Sequence, residues 1–230
     1  MRLPLLISVP HSGLSVPSEA KPYCILTRQQ IIEDGDEGAA EIYHGLRDHV
    51  AVFVTTPIAR AIVDMNRAED DRRPDGVMKT HTCWDVPVYR EFSPAGIIEM
   101  LLNRHYRPYH ALLKELAKPG VRLGIDCHTA AAKGPPIGPG PGLERPWICL
   151  SNGDGTCPED WIESLADCFA RAFDHDAAIN DPFKGGYIIR SHASELSWVQ
   201  LELSRAPFMA KQEKHERVLG ALRDWCSHLS

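Results

Sequence analysis

The feature that most constrains the fold is a short apolar run near the middle of the chain that ends in polar residues. Residues 121–125 follow a Pro-Gly pair and are apolar except for Arg122. A run of this length after such a break is typical of a buried strand. Asp126, Cys127 and His128 come next, and a loop rich in alanine, glycine and proline follows. Because ligands bind beyond the carboxyl ends of strands in open α/β sheets, this stretch predicts a binding edge.

The rest of the chain alternates between strand and helix patterns, which predicts a three-layer α/β/α fold around a mixed, largely parallel sheet. The further predicted strands are residues 3–9, 51–55, 147–151 and 198–203, and the predicted helices are residues 39–50, 93–117, 158–173 and 207–229, with one more helix starting after Thr27. Pro108 lies inside one of these helices and should kink or split it. Because there are no repeats, linkers or shifts in composition, residues 1–230 are interpreted as one domain.

The overall composition excludes several classes of protein. The 230 residues carry a net charge of −6, so no basic face for nucleic acid is expected. The seven cysteines are odd in number and include no C-x-x-C pair, which argues against a disulfide framework or a thiolate zinc site and fits a reducing cytoplasm. The apolar segment at the N-terminus is too short for a signal peptide, and no apolar segment approaches the length of a transmembrane helix. We therefore expect a cytoplasmic protein whose partner is a small molecule.

Two histidines, His11 and His128, each follow a predicted strand. Neutral imidazole is a preferred zinc ligand, and a catalytic zinc usually takes three protein ligands and keeps one position for water. The acidic cluster at residues 33–37 could supply the third ligand. Asp36 is the first candidate, and Glu37 and Asp34 are the next. A capped polar strand end and a solvated acidic loop are the alternative interpretations.

Several charged residues are candidates for the chemistry around such a metal. Glu202 lies on the predicted strand 198–203, with apolar neighbours that point to the opposite face. A carboxylate there is either paired with an arginine or acts as a general base. Arg60, Arg67 and Arg190 are candidates for holding an anion, because a guanidinium matches a carboxylate bidentately. An ordinary surface position is the alternative for each arginine.

Five short motifs occur in one order along the chain. They are Val9-Pro10-His11-Ser12-Gly13, Val63-Asp64-Met65-Asn66-Arg67, Asp126-Cys127-His128, Asn180-x-Pro182-Phe183-x-Gly185-Gly186-Tyr187 and Gln200-Leu201-Glu202. Together they resemble the N-formylglutamate amidohydrolase family, over roughly residues 5–205. That family is similar to the zinc carboxypeptidases and aspartoacylase, so the resemblance implies a zinc-carboxypeptidase-like sheet.

The resemblance also implies an activity. It is the metal-assisted hydrolysis of the amide of an N-formyl or other N-acyl amino acid, such as N-formyl-L-glutamate, which releases formate and the amino acid. One zinc ion per chain would be bound by His11, Asp36 and His128. Glu202 would take the proton of the attacking water, and Arg60 would stabilise the oxyanion.

Four further residues are implied as substrate contacts. Asn66 and Arg67 would hold a substrate carboxylate, Arg190 would be a second anchor, and Tyr187 would close over the substrate. The glycine pair before Tyr187 would permit a close backbone approach.

The chain departs from the carboxypeptidases at one position. They place a carboxylate three residues after the first histidine, and here that position is Leu14. The third ligand must therefore come from elsewhere, with Asp36 preferred and Glu19 a weaker candidate.

Other functions stay open at this point. The alternative functions are those of a metallo-carboxypeptidase, of a deacylase for another N-acyl amino acid or short peptide, and of a metal-free protein that holds small anions with its arginines. Two long segments, 68–90 and 133–146, are predicted to be loops that shape the pocket. Metal content separates the enzyme from the metal-free protein.

Overall fold

The core of the molecule is one mixed β-sheet. In a computed structural model, which describes residues 2–90 and 95–229, six strands form this sheet in the order β2-β1-β3-β6-β4-β5. The strands are β1 (Leu3–Val9), β2 (Val50–Thr55), β3 (Leu123–Ala130), β4 (Ile148–Ser151), β5 (Ala178–Ile179) and β6 (Trp198–Ser204). Every pairing is parallel except that of β4 with β6. The predicted mixed, largely parallel sheet is confirmed.

Helices cover both faces of the sheet. Their bounds are α1 (Arg28–Asp34), α2 (Ala39–Tyr43), α3 (Ala95–Leu101), α4 (Arg107–Leu116), α5 (Glu159–Phe173), α6 (Tyr187–Ser191) and α7 (Lys211–Ser227). Thr27 is the N-cap of α1, as predicted, and forms a capping box with Gln30. Among the described residues, no helix is long and apolar enough to cross a membrane.

Three predicted helices differ from the structure. The helix predicted at 207–229 begins later, because α7 starts at Lys211. The helix predicted at 39–50 is shorter, because α2 ends at Tyr43, a 3₁₀ turn spans His44–Asp48, and Val50 already belongs to β2. The predicted start at Ser93-Pro94 lies outside the described residues. The split expected at Pro108 is confirmed: a π turn at Leu102–Tyr106 separates α3 from α4, and the proline falls in the first turn of α4, where its missing N–H is not needed.

The alternation of side chains along the central strands separates two layers. Odd-numbered residues of β1, β3 and β6, such as Ile7, Ile125 and Leu201, face a core built with α2, α5 and α7. The even-numbered side faces α4, α6 and the loop that follows β2. Gly124 on that side lies against Trp198 of β6, and a Cβ there would overlap the indole ring.

The polar residues of these strands share the even-numbered side. Ser8 of β1 pairs in register with Asp126 of β3, and His128 of β3 pairs with Glu202 of β6. All four are buried. The sheet therefore brings the polar ends of three neighbouring parallel strands to one place.

Candidate metal centre and active site

A buried cluster of His11, Asp36 and His128 lies beyond the carboxyl ends of β1 and β3. One ligand atom from each residue lies within 4.8 Å of the other two. His128 Nδ1 is 2.9 Å from Asp36 Oδ2 and 3.1 Å from His11 Nδ1. His11 Nδ1 is 3.6 Å from the same oxygen of Asp36. The structure therefore brings together the three residues that the sequence proposes as ligands.

Each imidazole has a second carboxylate behind it. His11 Nε2 lies 2.8 Å from Asp64 Oδ1, and His128 Nε2 lies 2.7 Å from Asp126 Oδ2. An ionised carboxylate only accepts hydrogen bonds, so in both rings the Nε2 atom donates and carries the proton. The Nδ1 atoms that face the centre of the cluster are then left with lone pairs.

The donor set of this cluster fits a zinc ion. Two imidazole lone pairs and the Asp36 Oδ2 atom converge, and no proton lies between them when both rings are neutral. Two nitrogens and one carboxylate oxygen are a ligand set that catalytic zinc uses. A cation at the centre would satisfy all three atoms.

The charges in the cluster also favour a cation. Burial alone would lower the pKa of His128, but the carboxylates of Asp126 and Asp36 raise that pKa well above its ordinary value. Burial alone would raise the pKa of Asp36, but His11 and His128 lower it well below the ordinary value. The cluster therefore stabilises a positive charge at its centre, carried either by a proton or by a metal ion.

The other carboxylates considered as the third ligand lie elsewhere. Asp34 is buried, but its carboxylate accepts a hydrogen bond from Lys79 Nζ at 3.0 Å. Glu37 is exposed, and Glu19 pairs with Arg104 on the surface. The cluster thus contains the first of the sequence candidates and not the alternatives.

A cavity of about 370 Å³ opens beside the cluster and is lined by Glu202. Gln200 Nε2 donates to Glu202 Oε1 at 2.9 Å, and the N–H of Gly186 donates to Gln200 Oε1 at 2.6 Å. Burial raises the pKa of Glu202 above its ordinary value, although the nearby charge of His128 opposes the shift. A buried carboxylate with a raised pKa is suited to general base catalysis.

Arg60 lines the cavity but is largely neutralised by aspartates. Its Nε atom donates to Asp64 Oδ2 at 3.0 Å, and its Nη1 atom is 3.8 Å from Asp36 Oδ1. Arg60 Nη1 also donates to the backbone carbonyl of Asp34 at 3.3 Å. Arg60 therefore faces the cavity and also holds the carboxylates of Asp64 and Asp36 in place.

The predicted substrate contacts separate into two groups. Asn66 and Arg67 line the cavity, with Arg67 paired to Asp75 at 3.2 Å. A Cβ on Gly186 would overlap the Asn66 amide, so the glycine allows this side chain to lie against the backbone.

Arg190 and Tyr187 are not among the residues that line the cavity. Arg190 is 44% exposed and donates to the carbonyl of Lys184 at 2.7 Å, and the Tyr187 ring packs against His110. In this structure α6, which carries both residues, places their side chains outside the cavity, and their role as substrate contacts stays a prediction.

Two arginines of the cavity, Arg145 and Arg205, were not predicted from the sequence. Arg205 comes three residues after Glu202, directly beyond the end of a predicted strand, and that position is a signal that could have identified it. Arg145 lies in the loop 133–146, and no local pattern distinguishes it from a surface arginine.

The fold and the site together define a class of protein. A mixed sheet with a polar cavity at its carboxyl edge, beside a buried His–Asp–His cluster, is the arrangement of an α/β enzyme that binds its ligand beyond the strand ends. The family model of N-formylglutamate amidohydrolase matches residues 3–209. The chain belongs to the N-formylglutamate amidohydrolase family, and it is an enzyme that hydrolyses an amide.

Individual relatives agree with this assignment. N-formylglutamate deformylase of Pseudomonas putida is 29% identical over 228 residues, covering 92% of this chain and 84% of that protein. N-formylglutamate deformylase of Pseudomonas aeruginosa is 27% identical over 227 residues, with the same coverage. The crystal structure of N-formylglutamate amidohydrolase from Ralstonia eutropha JMP134 is similar with a TM-score of 0.78 at 20% identity, covering 98% of this chain and 91% of that one, and confirms the fold.

Proposed function

We propose that this enzyme hydrolyses the amide of N-formyl-L-glutamate with the help of one zinc ion, releasing formate and glutamate. The observation that carries the proposal is the position of Glu202, which pairs in register with His128 and faces the same cavity as the metal cluster. The names of the relatives from Pseudomonas putida and Pseudomonas aeruginosa support the choice of substrate.

The zinc would be held by the Nδ1 atoms of His11 and His128 and by the carboxylate of Asp36. Bound there, it would supply a Lewis acid that polarises the amide carbonyl and lowers the pKa of water. Asp64 and Asp126 would keep the two rings oriented, because each accepts the Nε2 proton of one histidine.

Glu202 is the proposed general base and acid. Its carboxylate takes a proton from the attacking water and passes it to the amide nitrogen as the C–N bond breaks. Water thus adds its oxygen to the formyl carbon, and the amine leaves with the proton. Gln200 holds the Glu202 carboxylate in place through the 2.9 Å hydrogen bond.

Three cavity residues would orient the substrate. Asn66 and Arg67 are proposed to hold the α-carboxylate, since amide and guanidinium donors suit a carboxylate. Arg60 is proposed to stabilise the developing oxyanion from the side of the cluster.

The test is the pair of variants Glu202→Gln and Glu163→Gln, assayed as zinc-loaded proteins on N-formyl-L-glutamate. We expect Glu202→Gln to keep its zinc and its fold but to lose at least about a hundredfold in kcat, with KM little changed, because general acid–base groups contribute about 10²–10⁴-fold. Glu163 is exposed on α5, so its variant should match the unmutated enzyme. Hydrolysis by Glu202→Gln at close to the unmutated rate would rule out its role as the base.

A further inference from the structure

Two arginines that the proposed mechanism does not use lie together beyond the end of β3. The backbone N–H of Arg205 donates to the carbonyl of Ala130 at 2.8 Å, and that of Arg145 donates to the carbonyl of Ala132 at 2.9 Å. Both side chains line the cavity. These hydrogen bonds therefore fix the backbone of both arginines near the end of β3.

Both guanidinium groups keep a donor without a partner. The Nε atoms of Arg145 and Arg205 are buried, and neither has a hydrogen-bond partner among the described residues. Arg145 Nη2 donates to the carbonyl of Pro139 at 3.2 Å, and its guanidinium lies 4.7 Å from the centre of the Phe183 ring. Arg205 donates to backbone carbonyls, of which that of Gly35 is nearest at 3.0 Å. Within the described part of the chain, neither arginine forms an ion pair with a carboxylate.

The other cations of the cavity are neutralised or solvated. The paired ones are Arg60 with Asp64 at 3.0 Å, Arg67 with Asp75 at 3.2 Å and Lys79 with Asp34 at 3.0 Å, while Lys184 is exposed. Burial lowers the pKa of Arg145, the charge of Glu202 opposes that shift, and the charge of Arg205 adds to it. Two partly buried like charges that lack a hydrogen-bonded carboxylate are costly, and an anion beside both would relieve that cost.

We propose that Arg145 and Arg205 form a binding site for a second carboxylate of the substrate. This inference rests on the proposed function: with the α-carboxylate on Asn66 and Arg67, the remaining charge of N-formyl-L-glutamate is its side-chain carboxylate. Two guanidinium groups offer paired N–H donors that match a carboxylate, and the Phe183 ring packs against that of Arg145. The site selects N-formyl amino acids with acidic side chains, because a neutral side chain leaves both arginines without a partner.

The experiment compares two substrates that differ only at that carboxylate, N-formyl-L-glutamate and N-formyl-L-glutamine. In zinc-loaded Arg145→Gln, kcat/KM for N-formyl-L-glutamate should fall by about 10- to 100-fold, mainly through KM, since hydrogen bonds to charged groups are of that strength. The value for N-formyl-L-glutamine should change by less than about threefold. An equal loss on both substrates, or no loss on either, would overturn the proposal.

Two further variants serve as controls. Arg145→Lys keeps the positive charge but loses the paired N–H donors of the guanidinium group. It should give an intermediate preference for the acidic substrate. Arg223→Gln removes an exposed arginine of α7, in the opposite layer, and should leave the preference unchanged. If Arg145→Lys lost the preference completely while Arg145→Gln kept it, the charge of Arg145 could not be the cause.

Binding of glutarate tests the carboxylate site without catalysis. Calorimetry on the zinc-loaded enzyme should show glutarate binding at least about tenfold more tightly than butyrate, and Arg145→Gln should lose this difference. Equal binding of the two acids would overturn the carboxylate site even if the enzyme hydrolyses N-formyl-L-glutamate. Glutarate selectivity in a protein that does not hydrolyse N-formyl-L-glutamate would instead refute the proposed function and keep the site.

Discussion

At the scale of single residues, the carboxylates behind the histidines control what the cluster can bind. Asp126 accepts hydrogen bonds from His128 at 2.7 Å and from Ser8 Oγ at 2.7 Å, and Asp64 accepts one from His11 at 2.8 Å. Both aspartates are fully buried. The charge of Asp126 raises the pKa of His128, and the position of both aspartates fixes which ring nitrogen faces the centre of the cluster.

Replacing Asp126 with asparagine should weaken zinc binding. The variant keeps the shape of the side chain but removes the charge behind His128, and changes of this kind typically cost about 10- to 100-fold in metal affinity. Competition with a chelating dye measures the affinity. Ser8→Ala, which removes only a hydrogen bond to the aspartate, should cost less. Equal zinc affinity in Asp126→Asn and the unmutated protein would contradict this account of the cluster.

Residues at strand ends carried a local signal in the sequence, and Arg145 on its loop carried none. His11, His128 and Glu202 follow or lie on apolar runs whose pattern is local, so the sequence places them at the carboxyl edge of the sheet. Arg145 reaches the cavity because distant backbone bonds, such as that from Ile137 N–H to the carbonyl of Cys83 at 3.1 Å, fold its loop. Such contacts leave no periodic signal in the sequence.

At the scale of elements, one buried ion pair ties α1 to the loop 68–90. Lys79 is fully buried and donates to both carboxylate oxygens of Asp34, at 3.0 and 3.2 Å. The N–H of Cys83 donates to the same carboxylate at 2.7 Å. The pair therefore holds a long loop, which contributes Asp75 and Trp84 to the cavity, against a helix.

Replacing Lys79 with methionine should lower the free energy of unfolding by about 3–5 kcal/mol, because the carboxylate of Asp34 is left buried without its partner. Urea titration measures the change. Lys133→Met, at an exposed lysine 3.9 Å from Glu144, should stay within about 0.5 kcal/mol. A Lys79→Met protein as stable as the Lys133→Met protein would show that the pair does not hold the loop.

The contact between α4 and the end of α6 should make the free energy of unfolding depend on pH. His110 of α4 donates from Nε2 to the carbonyl of Met65 at 3.0 Å and accepts at Nδ1 from His192, which ends α6, at 2.9 Å. Burial lowers the pKa of His110 from 6.5 to about 4, and His192 adds to the effect. As the pH falls, His110 is therefore protonated at a lower pH in the folded state than in the unfolded chain.

The free energy of unfolding should consequently decrease between pH 6.5 and pH 4, and part of that decrease should be absent in His110→Asn. Denaturant titrations across this range measure it for both proteins. His228→Asn, at an exposed histidine, should follow the unmutated curve. Parallel curves for His110→Asn and the unmutated protein would exclude His110 as a source of the pH dependence.

Elements with a strong periodic pattern were predicted, and very short ones were not. The apolar runs of β1 and β3 and the amphipathic pattern of α5 identified those elements correctly. Neither β5, with two residues, nor α6, with five, is among the elements predicted from the sequence. Elements of that length are too short to show a period, and their contacts with the rest of the fold decide them.

At the scale of the whole molecule, the fold gathers buried carboxylates around the histidine cluster. They are Asp34, Asp36, Asp64, Asp126 and Glu202. Arg60 pairs with Asp64 and Lys79 with Asp34, while Asp36 and Asp126 contact His128 at 2.9 and 2.7 Å. A cation at the histidines would balance the charge of Asp36 and Asp126, so we expect metal binding and folding stability to be linked.

Removal of the proposed zinc should therefore destabilise the entire protein. A ligand that binds only the folded state stabilises it by about 2.7 kcal/mol at 100 times its Kd and about 4.1 kcal/mol at 1,000 times. For a chain of this length, each kcal/mol shifts Tm by about 2–4 °C, so a chelator should lower Tm by roughly 5–16 °C. Scanning calorimetry with and without chelator measures the shift, and added zinc should reverse it. His11→Ala, which lacks a ligand, should have a Tm that does not respond to the chelator. A Tm that responds equally in His11→Ala and in the unmutated protein would mean that the stabilising metal is bound somewhere else.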